Sequence, residues 1–198
     1  MSEASSTIVN VPNALTLVRL ILSIVVFALM PWEMYLSALV VFIIAASTDW
    51  VDGYWARKYG QVTKVGRVFD PFVDKIIICG TFIFLAAEYH RGSGIAPWVA
   101  VVIMGREMLV TALRSFIEQS GGDFSAGMAG KLKMVLQCIA AGASLYALHY
   151  LSGNAASGEA LLPAWLNWTL ILSVWGTVIL TVYSGVEYLF AAAKFFRT

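Results

Sequence analysis

The sequence predicts an all-α integral membrane protein, with six transmembrane helices around a polar, metal-binding cavity open to the cytoplasmic side. Three observations carry this reading. Of the 198 residues, 60% are hydrophobic and 13% are charged, and the mean hydropathy is +0.79; a soluble domain carries about 25% charged residues. Six apolar runs approach the roughly 20 residues that a helix needs to cross a bilayer. Four aspartates, Asp49, Asp52, Asp70 and Asp74, stand where the second run ends and the third begins. The length suits one domain over residues 1–198.

The runs fall near 13–31, 34–57, 71–90, 96–118, 131–151 and 164–191, and breakers mark their joints. Pro31-Trp32 closes the first, and Gly92-Ser93-Gly94 separates the third from Pro97, which opens the fourth. Gly121-Gly122 follows the fourth, Ser152-Gly153-Asn154 the fifth, and Pro163 precedes the sixth. The sixth is long enough to tilt or to project beyond the membrane. There is no internal repeat. Met1–Asn10 lacks a basic n-region and is not Arg-rich, so no cleaved leader is expected.

Cations set the orientation. Arg57, Lys58, Lys64 and Arg67 lie between runs two and three, Lys131 and Lys133 open run five, and Lys194 and Arg197 end the chain. The opposite loops offer Arg91 alone. The positive-inside rule then puts both termini and the aspartate cluster in the cytoplasm. Trp32, Trp98 and Trp165 mark the other membrane edge. A bacterial plasma (inner) membrane fits best. A net charge of +1 gives no basic excess for nucleic acid. Cys79 and Cys138 sit in apolar runs, and His90 and His149 lie at the far ends of their spans, away from the aspartates.

Asp49 and Asp52 are three apart and Asp70 and Asp74 four apart, so each pair shares one helix face. The short loop between the spans lets both pairs point into one cavity. Two unit charges 4 Å apart repel by about 4 kcal/mol at an effective dielectric near 20, so cations must bind or carboxyls protonate. Carboxylates without His or Cys select hard ions, Mg²⁺, Mn²⁺ or Ca²⁺. Two divalent ions would balance four charges, the arrangement that clamps phosphoryl groups during in-line displacement. The structural alternative is an interfacial network with Arg57, Lys58, Arg67 and Lys75. Gly53, with Ala56 three residues on, leaves a flat trough beside the carboxylates, or else serves close helix packing.

As a whole, Asp49-x2-Asp52-Gly53-x2-Ala56-Arg57-x8-Gly66-x3-Asp70-x3-Asp74 resembles the signature of the CDP-alcohol phosphotransferase family, with every fixed position filled. The resemblance implies attack of an alcohol hydroxyl on the β-phosphorus of a CDP-linked lipid, with CMP displaced. It implies that Asp49, Asp52, Asp70 and Asp74 hold two divalent cations, Mg²⁺ or Mn²⁺, and that Asp74 is also the general base. Gly53, Ala56 and Arg57 would receive the cytidine nucleotide, with Asn13, Thr16 and Thr63 as further contacts. Asn13, Thr16 and Arg19 recur every three residues on span one, a stripe that interfacial anchoring would also explain.

The acceptor is read from the remaining intramembrane charges. Arg106, Glu107, Thr111 and Arg114 lie on span four, and several cations near the cluster suit an anionic acceptor. Flanking charge explains Lys131 and Lys133 equally, and an ion pair with Glu107 or a neighbouring helix is the plain role for Arg106. Gly105-Arg106-Glu107, Thr111-x2-Arg114, Gly130-Lys131-x-Lys133 and Gln137 resemble the phosphatidylglycerophosphate synthase branch, with Met134 where that branch has threonine. The branch implies CDP-diacylglycerol and glycerol 3-phosphate as substrates, with Arg106, Arg114, Lys131 and Lys133 receiving the acceptor phosphate. Family analogy also implies a homodimer in contact with membrane lipid. A sister enzyme using inositol phosphate, serine or phosphatidylglycerol is the alternative within the class. A divalent-cation transporter is the alternative outside it, although its site would sit nearer the midplane. A structural assembly factor would not need the four aspartates.

Overall fold

The structure, a computed structural model, describes residues 11–59, 64–119, 128–154 and 161–195. Within these, the side chains of 11–13, 49–59, 64–71, 74, 118–119, 128–129, 131 and 194–195 are not described. The elements are α1 (Val11–Leu29), α2 (Tyr35–Tyr59), α3 (Lys64–Ala87), a 3-10 turn (Tyr89–Arg91), α4 (Pro97–Gln119), α5 (Met128–Asn154) and α6 (Ala164–Phe195). The six helices are those expected, with ends within four residues except at the start of α3. That helix begins at Lys64 rather than 71. Its first two turns are the polar stretch that carries the signature, which a criterion of apolar length cannot see.

Among the described residues, two helical segments are long and apolar enough to cross a membrane, Leu132–Asn154 and Ala164–Ala193. Shorter apolar stretches occupy Ala14–Leu29, Tyr35–Thr48 and Lys75–Ala87.

The chain divides into two compact units, Met1–Thr81 and Phe82–Thr198. In the first, α1 packs on α2. The buried positions of α1 are Thr16, Arg19, Ser23, Val26 and Met30, alternating three and four apart. Those of α2 are Tyr35, Ala38, Phe42 and Ala45, with the same alternation. This is the spacing of a coiled-coil-like seam. Met34 N–H donates to the Leu29 carbonyl at 3.1 Å and Glu33 N–H to that of Met30 at 2.9 Å, closing the turn between the helices. The end of the unit's α3 segment lies against α1 at Gly80, where an added Cβ would meet Phe27 Cζ at 2.2 Å.

In the second unit α6 packs on both α4 and α5. Ala147, Leu166 and Leu170 form one apolar cluster, flanked by Ala143, Tyr146 and Leu162. The buried face of α6 continues through Ser173, Thr177, Thr181, Ser184 and Tyr188, whereas Leu172, Trp175, Ile179, Val182 and Phe190 are exposed. The buried face thus mixes these polar groups with Leu166, Leu170, Val174 and Val178. The link from α3 to α4 is pinned by Ser93, whose Oγ donates to the Leu85 carbonyl at 2.6 Å and whose carbonyl accepts the Ser144 hydroxyl. Gly92 and Gly94 flank Ser93 with φ of 98° and 72°.

Candidate active site

The signature is carried by the ends of two helices. Asp49, Asp52, Gly53, Ala56 and Arg57 lie in the last turns of α2, and Asp70 and Asp74 in the first turns of α3. Their side chains, with those of Asn13 and Lys131, are among those not described, and Thr63 lies outside the described residues. Helix register still places the aspartates. The seam of α2 at positions 35, 38, 42 and 45, carried on with the same alternation, falls on Asp49, Asp52 and Ala56. On α3 the buried Ile77 and Thr81 are preceded, three and four residues at a time, by Asp74 and Asp70. A set of four carboxylates with no imidazole or thiolate among them suits a hard divalent cation.

On α1 a polar stripe is buried. Thr16, Arg19 and Ser23 are all buried, and the Ser23 hydroxyl donates to the Arg19 carbonyl at 2.8 Å. Thr16, expected as a nucleotide contact, is therefore an inward residue of α1.

In the second unit two of the expected acceptor cations come together. Arg106 and Lys133 meet at Glu107: the Lys133 ammonium donates to Glu107 Oε1, and Arg106 Nη1 lies 3.5 Å from the same oxygen. These side chains are 10% (Arg106), 12% (Glu107) and 5% (Lys133) exposed. Arg114, two turns beyond Glu107, is exposed. Thr111 spends its hydroxyl on the Glu107 carbonyl at 2.7 Å. The ion pair read as the plain role of Arg106 is thus present. It leaves donors over, because Arg106 Nε is buried without a hydrogen-bond partner, as is Nε2 of Gln137, one turn after Lys133 on α5.

Two residues of α6 complete the cluster and have no signal in the sequence. The Arg106 guanidinium lies over the Tyr188 ring, 5.4 Å from its centroid. Gly185, one turn earlier, has its backbone so close that an added Cβ would stand 3.3 Å from Arg106 Cγ. A tyrosine and a glycine in an apolar helix read as ordinary packing, and only the fold brings them to an arginine some 80 positions away.

The model of the CDP-alcohol phosphatidyltransferase family matches residues 9–183. The chain belongs to the CDP-alcohol phosphatidyltransferase family. Among its relatives, the CDP-diacylglycerol–glycerol-3-phosphate 3-phosphatidyltransferase of Bacillus subtilis (strain 168) is 35% identical, over 90% of this chain and 93% of its own length. Proteins of the same name from Salmonella typhimurium (strain LT2) and Escherichia coli (strain K12) are 32% and 30% identical, over 92% of this chain and 94% of theirs. As a CDP-alcohol phosphatidyltransferase the chain is a membrane-associated enzyme of phospholipid synthesis.

Proposed function

We propose that the chain transfers the phosphatidyl group of CDP-diacylglycerol to glycerol 3-phosphate, giving phosphatidylglycerophosphate and CMP. The observation that carries this reading is likeness over nine-tenths of the chain to bacterial enzymes named for that reaction. The buried Arg106–Glu107–Lys133 cluster supports it, because a serine or inositol acceptor without a phosphate has no use for such cations. In the reaction the acceptor hydroxyl oxygen bonds to the β-phosphorus, the phosphoanhydride bond to CMP breaks, and the hydroxyl proton passes to the Asp74 carboxylate. Asp49, Asp52, Asp70 and Asp74 hold two divalent cations, Mg²⁺ or Mn²⁺. When bound, these supply positive charge to the pyrophosphate oxygens and to the departing CMP.

Asn13, Thr16, Gly53, Ala56, Arg57 and Thr63 hold the cytidine nucleotide. Arg106, Arg114, Lys131 and Lys133 hold the acceptor phosphate, and fixing both substrates turns a bimolecular encounter into an oriented one. The chain forms one membrane domain of six spans, its polar cavity and both termini on the cytoplasmic side of a bacterial plasma membrane, and works as a homodimer.

The test is CMP release by the purified protein in detergent with CDP-diacylglycerol and single acceptors: glycerol 3-phosphate, serine, inositol 1-phosphate or phosphatidylglycerol. Release with glycerol 3-phosphate alone, abolished by a chelator, is the expected result. Release with another acceptor instead overturns the substrate assignment while keeping the family.

A further inference from the structure

We infer that Tyr188, with Gly185, is a positioning residue: α6 holds the Arg106 guanidinium in the orientation that receives the acceptor phosphate. The inference rests on the proposed acceptor and concerns a helix to which no acceptor role has been assigned. Arg106 lies about 14 Å along α4 from Pro97, deep in a largely apolar helix. An arginine so placed has two ways to lower its energy. It can extend along the helix toward water, or close on a carboxylate with both arms. It does neither. Its contact with Glu107 is a single long one at 3.5 Å, while its Nε stays buried with no partner.

The α6 contacts explain why. The guanidinium is stacked over the buried Tyr188 ring at 5.4 Å, and the ring face attracts the cation without using any N–H. Gly185 lets the arginine stem lie against the α6 backbone, where an alanine Cβ would press on Cγ at 3.3 Å. Glu107 meanwhile is occupied by the Lys133 ammonium and does not draw Arg106 fully to itself. The outcome is a fixed planar cation with unspent donors, and an unpartnered Gln137 amide on the neighbouring helix. This chemistry fits a phosphate monoester, which accepts several hydrogen bonds at once.

The test uses the full chain in detergent, with KM measured separately for glycerol 3-phosphate and for CDP-diacylglycerol. Tyr188→Phe keeps the ring face and is expected to match the wild type in both. Tyr188→Leu removes it and is expected to raise KM for glycerol 3-phosphate about tenfold, with KM for CDP-diacylglycerol unchanged. Gly185→Ala keeps the tyrosine but displaces the arginine stem. It is expected to raise the same KM, which provides a second reading should Tyr188→Leu fail to fold. In an Arg106→Ala background, Tyr188→Leu should add nothing. The inference is overturned if Leu and Phe behave alike, if both KM values rise together, or if Gly185→Ala leaves the acceptor KM unchanged. Inactivity of the wild type with glycerol 3-phosphate would instead sink the proposed acceptor, so the two failures are separable.

Discussion

Lys133 of α5 donates its ammonium to the Glu107 carboxylate of α4, and both side chains are almost wholly buried. In low dielectric such a pair is held less by its own attraction than by the cost of leaving either charge alone. Glu107→Ala should therefore lower stability by about 3–5 kcal/mol, because it strands the Lys133 charge. Replacing both residues with apolar ones of similar volume, Glu107→Leu with Lys133→Met, should recover most of that loss and none of the acceptor affinity. Thermal unfolding in detergent, paired with KM for glycerol 3-phosphate, reads both effects.

Gly80 of α3 packs against Phe27 of α1, with 2.2 Å between an imagined Cβ and Cζ of the ring. Gly80→Ala should destabilise by about 1–3 kcal/mol through overpacking. Adding Phe27→Leu should relieve much of it. The same unfolding assay measures the rescue, and its absence would mean that α3 does not rest on α1 there.

Gly94 combines two demands, a left-handed φ of 72° and a Cβ position only 1.9 Å from Leu170 Cδ2. Gly94→Ala is expected to be more damaging than Ser144→Ala. The serine change loses one hydrogen bond to the Ser93 carbonyl, worth about 1 kcal/mol net. Comparing the two unfolding midpoints decides the order.

Asp74→Asn should abolish turnover while CDP-diacylglycerol still binds, since the amide cannot take the acceptor proton. Arg114→Ala should raise KM for glycerol 3-phosphate about tenfold, the loss of one charge-assisted hydrogen bond. Equilibrium binding of the CDP-lipid beside steady-state kinetics separates the two roles. Loss of CDP-lipid binding first in the arginine variant would mean that Arg114 serves the nucleotide.

Helices are legible in this chain because apolar length and Gly or Pro breakers act locally. Pro31, Pro97 and Pro163 lie at the joints of helices that the structure places within a few residues of expectation. The start of α3 lies before the apolar run because Lys64, Gly66, Arg67 and Asp70 interrupt Val65, Val68 and Phe69, and a criterion of continuous apolar length passes over such a stretch. The four aspartates stand out as candidate ligands because metal chemistry imposes fixed residue types at fixed spacing. The partners of Arg106 could be found only in part. Glu107 is its sequence neighbour, but the choice of Lys133, Gly185 and Tyr188 is made by how α4, α5 and α6 pack, and no local pattern encodes it.

The most direct measurement follows the acceptor rather than the leaving group. Purified protein would be given CDP-diacylglycerol and isotope-labelled glycerol 3-phosphate, with Mg²⁺ or with a chelator, and label would be counted in the lipid extract against CMP released. The account predicts one labelled lipid formed for each CMP, and neither product once the metal is removed. CMP released without label in lipid, or labelled lipid formed at full rate under chelation, would contradict it.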